Sequence, residues 1–205
     1  MINLEHGKYY HIYNRGVNRC NLFYNSGNYS YFLRQYEKYI DPVADTFAWV
    51  LLKNHFHLLV RIKEISEINI NQLPIPKKLQ TLNIPVTLKT PHLYFSDLFN
   101  AYAQAINLQE NRTGSLFQRP FQRKEVDNSE YFRQLVVYIH ANPVHHGFVD
   151  DFRDYPWSSY GTILSLKPTR LQRDKVIGWF NSKGEFVDQH KQELKTDFFS
   201  QYIIE

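Results

Sequence analysis

Cysteine is almost absent from this chain, and Cys20 is the only one. No internal disulfide can form, and zinc clusters built on several cysteines are excluded. Cys20 itself reads as an inert thiol. Long apolar runs are missing too: no stretch approaches the about 20 residues that span a bilayer. The first residues, Met1-Ile2-Asn3-Leu4-Glu5-His6, lack the basic-then-apolar order of a secretion signal. Net charge is small, 24 Lys and Arg against 20 Asp and Glu, or +4. That is a weak field for drawing in nucleic acid by itself. There is no internal repeat and no low-complexity tract. A soluble, intracellular, cytoplasmic protein without membrane association is the expectation.

What the chain does have is apolar and aromatic mass. Hydrophobic residues make up 43% of its 205 positions, which supports one compact domain with an appended segment and rules out bulk disorder. Aromatics reach 16%, beside a mildly basic balance. Rings that stack on bases and cations that meet phosphates suit single-stranded nucleic acid. An aromatic-rich core accounts for the same composition, and on composition alone it is the better account.

Residues 8–15 are β-rich and read as a strand, followed by a loop from Gly16 to Gly27. Asn28 is the expected cap of a helix to about Ile40, with Phe32, Gln35, Tyr36 and Tyr39 at helical spacing. Thr46–Leu52 and His55–Ile62 read as a hairpin across Lys53-Asn54. Four prolines punctuate residues 64–93, which read as an insertion loop. Ser96-Asp97 opens a second helix to about Gln109, and Phe117–Val126 is a fourth strand. Asp127, with Glu130 three residues on, is the expected cap of a third helix, which Pro143 should end near Asn142. Shorter helices are expected near 175–180 and 186–199. The order predicts an α+β fold: a ferredoxin-like antiparallel sheet with helices on one face, plus a small C-terminal helical extension.

Three features could carry chemistry. In His55-Phe56-His57 the alternation of a strand puts both imidazoles on one face and Phe56 on the other, which makes half of a divalent-metal site. Tyr138 and Asn142 stand at i and i+4 near the end of a capped helix, on one face. The segment Asn111–Lys124 carries Arg112, Arg119, Arg123 and Lys124 with Phe117 and Phe121 and no acid, the pattern of a phosphate track with stacking platforms. Arg15, after the first strand, could add a phosphate contact. Taken singly, each has a plainer use: hydrogen-bonded surface histidines, a core tyrosine with a helix-terminal Asn, a solvated strand edge.

Together they resemble a known family. Asn54-His55-Phe56-His57-Leu58-Leu59-Val60 resembles the HUH motif, and Tyr138-Ile139-His140-Ala141-Asn142-Pro143-Val144 resembles the catalytic-helix signature of single-tyrosine HUH transposases. Tyr13-Asn14-Arg15-Gly16, the Arg112–Phe121 segment and Trp157-Ser158-Ser159-Tyr160 are similar to the branch of REP-associated tyrosine transposases. The likeness spans residues 8 to about 160. It implies a catalytic domain over 1–150, a C-terminal extension over 151–205, and a metal-dependent single-stranded DNA endonuclease and strand transferase acting at hairpin-flanked sites. Tyr138 would be the nucleophile, forming a 5′-phosphotyrosine link. His55 and His57 would hold Mg²⁺ or Mn²⁺, with Asn142 as the third ligand. A neutral amide oxygen there implies modest metal affinity. Single-stranded or hairpin DNA is the implied partner, and a homodimer is one possible assembly. Tyr131, one face-repeat earlier, is the rival nucleophile and reads as a packing residue. The alternatives are a catalytically silent nucleic-acid-binding protein of the same fold, and a metallohydrolase in which Tyr138 is structural.

Overall fold

The computed structural model describes residues 2–74 and 87–193. Strand β1 (Tyr9–Arg15) leads through a 3₁₀ turn to helix α1 (Ser26–Tyr39). The hairpin of β2 (Ala44–Leu52) and β3 (His55–Ile62) follows, then α2 (Pro91–Gln109), β4 (Gln122–Val126) and α3 (Ser129–His145). Three short helices close the described chain: α4 (Tyr160–Leu164), α5 (Arg173–Trp179) and α6 (Lys183–Glu193). The strands form one antiparallel sheet in the order β2-β3-β1-β4, so the ferredoxin-like order holds. Two-residue closure at Lys53-Asn54 sets Leu52 opposite His55.

Strand alternation sorts the side chains into two cores. Tyr10, Ile12, Phe56, Leu58 and Val60 face α1 and α2. Val50, Leu52, Leu59 and Val126 face the other way, toward α3 and the C-terminal segment. A bulge between Thr46 and Ala48 interrupts the alternation, so that Phe47 and Ala48 both reach the second core. The expectation of helices on one face is therefore corrected. The crossover helices α1 and α2 share one face, but α3 and residues 152–190 cover the opposite one through Phe152, Ile163, Val176, Phe180 and Phe186. The cause is legible in β2 and β3, whose near-continuous apolar runs are the pattern of strands buried on both sides.

Local signals shifted by a few residues. Asn25, not Asn28, caps α1; Asn28 sits inside the first turn and donates to Gln109 on α2. Helix α2 begins at Pro91 rather than Ser96, using proline's missing N–H where no partner is needed. Asn128, not Asp127, caps α3, its Oδ1 accepting the Tyr131 N–H at 2.8 Å. Helix α3 runs through Pro143 to His145 instead of stopping at Asn142. Of the expected strand Phe117–Val126 only the second half, β4, pairs with β1; Phe117 makes an isolated bridge to Gly16. The 64–93 stretch contains two 3₁₀ turns, with Ile68 and Leu73 buried, and its residues 75–86 lie outside the described ones. The end of the expected 186–199 helix and the rest of the extension, 194–205, lie outside them also. No helix among the described residues is long and apolar enough to cross a membrane.

Phe56 is fully buried between Phe32, Phe99 and Phe117, directly beneath the two imidazoles. Phe56→Ala should cost about 3–5 kcal/mol of stability, because the cavity it leaves is walled by sheet and helices that cannot close in. Chemical denaturation measures this; a loss below about 1 kcal/mol would contradict the packing described.

Candidate active site

The face of the sheet that packs on α3 carries a cluster of rings at one end. His55 and His57 project from β3 toward α3, while Phe56 enters the first core, as the strand period requires. From β1, His11 and Tyr13 project to the same face. Their register, with Tyr13 opposite His57 and Arg15 opposite His55, assembles the group. His11 Nε2 and His57 Nδ1 share a hydrogen bond of 2.9 Å. The His55 and His57 ring centres lie 5.3 Å apart, and His146 from the end of α3 stands 4.6 Å from His55.

Helix α3 lays Tyr138 over this pair. Its ring centre is 5.4 Å from that of His57 and 6.2 Å from that of His11. Tyr138 is only 4% exposed, yet it lines a cavity of about 340 Å³ together with Arg15, Arg19, Asn54, His55 and Asn142. No carboxylate lines that cavity, and two guanidiniums do, so it favours an anion. Gly16 makes the second cation possible. A Cβ there would stand 2.0 Å from the Cys20 carbonyl oxygen, and the following turn puts Asn18 and Arg19 at positive φ to bring Arg19 back beside Arg15.

Burial keeps the imidazoles neutral. It is the main cause that lowers His55 to about 3, with His146 and Arg15 adding to it, and that lowers His11 to about 3. His57 is pushed well below the ordinary range, again mainly by burial. Neutral imidazoles keep a lone pair for a metal. Burial raises the Tyr138 phenol above its usual 10, and the Asn142 amide works in the opposite direction.

Two buried polar atoms here have no hydrogen-bond partner: His55 Nε2 and Asn142 Oδ1. The rest of each side chain explains why these atoms are the ones left over. His55 Nδ1 meets Asn54 Oδ1 at 2.7 Å, an acceptor, so Nδ1 carries the hydrogen and Nε2 the lone pair. Asn142 Nδ2 donates to the Tyr138 carbonyl at 2.9 Å, which turns its oxygen away from the helix. Two orphaned acceptors on one cavity suit a cation. Among the described residues no three His, Cys, Asp or Glu side chains form a metal-ligand set, and the Asn142 amide oxygen is a further donor atom on the His55 cavity.

Tyr138, His55, Asn142 and Arg15 thus share a cavity, with His57 beside them; the other expected DNA contacts do not join them. Phe117 and Phe121 are 5% and 7% exposed and pack on Phe99 in the first core, and both also line the groove that holds Arg119 and Arg123. The interleaved pattern of that segment reflects one wall of the first core. Arg112 donates to Cys20 Sγ and the Tyr24 hydroxyl, on another part of the surface. Lys124 is exposed with its ammonium 4.8 Å from the Tyr131 ring. Arg119 and Arg123 line a separate groove. Sequence reasoning missed His11, Arg19, Asn54 and His146. The first depends on the β1–β3 register and the second on a left-handed turn, neither of which has a local signal.

A sheet-borne histidine pair under a helix-borne tyrosine, beside a cavity that carries two guanidiniums and, among the described residues, no carboxylate, defines a class by its form: an α+β protein with one four-stranded antiparallel sheet and a His–Tyr cluster between sheet and helix. No family model matches the chain. A curated protein of Haemophilus influenzae named "Putative REP-associated tyrosine transposase" is 27% identical over 116 residues, 57% of this chain and 58% of that protein, so the match spans less than two thirds of the relative. A solved structure of a REP-associated tyrosine transposase bound to a REP hairpin shares the fold at a TM-score of 0.57 and 19% identity. It covers 82% of this chain and 86% of its own. The chain resembles REP-associated tyrosine transposases in both sequence and fold.

Proposed function

We propose that this chain is a transposase-like enzyme that cuts and rejoins single-stranded DNA next to a hairpin, with Tyr138 as the nucleophile. The observation that carries the reading is that the Tyr138 phenol, His55 and the orphaned Asn142 oxygen line one cavity with Arg15 and Arg19, while the His57 ring lies 5.4 Å from that of Tyr138. The Tyr138 oxygen attacks a backbone phosphorus, a Tyr–O–P bond forms as the P–O3′ bond breaks, and the proton lost by the phenol is made up, in net, on the departing O3′. The products are a 5′-phosphotyrosine and a free 3′-hydroxyl. That hydroxyl can reverse the exchange onto another strand, so joining needs no external energy source. Arg15 and Arg19 hold the phosphate by charge. His55, His57 and Asn142 would hold a divalent ion, Mg²⁺ or Mn²⁺, which when bound would supply Lewis-acid polarisation of the phosphate and help orient it. His11 fixes the His57 ring, and Asn54 fixes the tautomer of His55.

The unpaired strand has a path to this site. Between α2 and residues 114–121 lies a groove of about 670 Å³, walled by Asn100, Gln104 and Asn107 on one side and Gln118, Arg119 and Arg123 on the other. Asn107 Oδ1 and Arg123 Nε are buried there without partners. Carboxamides can pair with base edges and guanidiniums with phosphates. Asn14 and Gln118 also line a smaller cavity of about 230 Å³ that reaches His55 and His57, so one set of walls runs from the groove to the histidines. Arg119→Ala and Arg123→Ala should each weaken binding to a hairpin with an unpaired flank and lower the slope of log affinity against log salt by about 1. Fluorescence anisotropy across a salt series reads this, and an unchanged slope would place the strand elsewhere.

The test of the reading is direct. The protein is incubated with hairpin-containing single-stranded DNA and Mn²⁺ and run on a denaturing gel. A covalent adduct supports the reading. Binding without cleavage identifies a silent nucleic-acid-binding protein instead, and cleavage without an adduct identifies a water-using hydrolase.

A further inference from the structure

A second histidine cluster lies on the back of the tyrosine helix, and the proposed chemistry does not use it. His140 Nδ1 and His190 Nε2 are 2.8 Å apart, His140 Nε2 and Ser159 Oγ 2.7 Å, and His190 Nδ1 lies 2.6 Å from the Phe186 carbonyl oxygen. None of the three side chains is more than 1% exposed, so no substrate reaches them. Each hydrogen can be placed. The Phe186 carbonyl only accepts, so His190 Nδ1 carries the hydrogen and His190 Nε2 the lone pair. His140 Nδ1 then donates to it, and His140 Nε2 accepts from the Ser159 hydroxyl. The Ser159 oxygen accepts in turn from the Trp49 backbone N–H at 2.9 Å. The result is a chain of directional bonds from α6 through α3 to β2, with every member satisfied.

Its position gives it a consequence. Residues two apart on a helix project to nearly opposite sides, so the network grips α3 directly behind Tyr138. Residues 135–143 are all buried, and most of what surrounds α3 is apolar packing. Apolar contact tolerates small rotations and slides of a helix, whereas a saturated hydrogen-bond chain does not. We propose that His140 and His190 are positioning residues for Tyr138: the C-terminal helix α6 holds the tyrosine helix at one rotation and depth over the histidine pair.

This inference rests on the proposed function for its kinetic readout, but a second readout does not. His190→Phe keeps the ring volume and removes the acceptor for His140. His190→Gln returns an acceptor oxygen near Nε2. Ser159→Ala is a milder break at the other end. Single-turnover cleavage of hairpin DNA should fall about 10–100-fold in His190→Phe, several-fold in Ser159→Ala, and recover to within about threefold in His190→Gln. DNA affinity should stay unchanged in all three. Separately, 3-fluorotyrosine placed at position 138 should show a displaced or broadened ¹⁹F resonance in His190→Phe and Ser159→Ala and a restored one in His190→Gln, whether or not the protein cleaves DNA. The proposal is overturned if both broken variants keep the original ¹⁹F resonance. It is also overturned if the losses follow thermal stability alone and Gln restores neither signal.

Discussion

Tyr138→Phe protein should bind hairpin DNA as tightly as the unmodified chain and form no covalent adduct, with strand cleavage reduced about a thousandfold or more. The expected size follows from what is removed. Only the hydroxyl oxygen goes; the ring that packs against His57 and His11 stays. The fold is therefore retained, and affinity is retained because it comes from phosphate contacts elsewhere. The environment also shapes the activity that remains to be lost. Burial holds the phenol above its usual pKa, so at neutral pH nearly all of it is protonated in the free protein. The proton has to leave as the phosphate is attacked, and cations close to the oxygen favour that. Survival of cleavage in Tyr138→Phe would move the nucleophile to water and reduce Tyr138 to a packing residue.

The second large effect concerns the histidine pair. His57→Ala should abolish cleavage, while most of the DNA affinity persists. Calorimetry should show the binding of Mn²⁺ weakened at least tenfold, because one imidazole donor is gone and the remaining set, His55 and an amide, is poor. The substitution also strips His11 of its hydrogen-bond partner, leaving a buried imidazole nitrogen unpaired, so a stability loss of about 1–3 kcal/mol is expected. Loss of DNA affinity together with cleavage would count against this account, since it would make His57 a DNA anchor. Unaltered Mn²⁺ binding would remove His57 from the ion's ligands.

The parts of the site that were legible in the sequence are those set by local geometry. His55 and His57 are two apart on a strand, and Tyr138 and Asn142 are four apart on a helix; each spacing alone puts its pair on one face. The order of strands and helices gave the sheet topology in the same way. Groups brought in by pairing register or by loop conformation were not legible. His11 meets His57 only because β1 and β3 align Tyr13 with His57. Arg19 returns to the cavity through a left-handed turn that Gly16 makes room for. The direction in which Phe117 and Phe121 face was not legible for a different reason: a basic, aromatic segment reads alike whether its rings point out or in, and here they pack on the first core and line the groove beside Arg119 and Arg123. The second core was visible in the consecutive apolar residues Phe47–Leu52 of β2 and Leu58–Val60 of β3, which fit a sheet covered on both sides better than the one-sided sheet expected.

The central claim is that the Tyr138 oxygen forms the bond to DNA. It is tested most directly by trapping the adduct, digesting with nuclease and trypsin, and locating the residual nucleotide by peptide mass spectrometry. Cleavage after Arg133 and Arg153 yields the peptide Gln134–Arg153, whose one tyrosine is Tyr138, while Tyr131 and Tyr13 fall in other peptides. A nucleotide mass on Gln134–Arg153, carried by Tyr138, is the expected result. The same mass on the peptide holding Tyr131 or on Tyr9–Arg15, with Gln134–Arg153 unmodified, would contradict it.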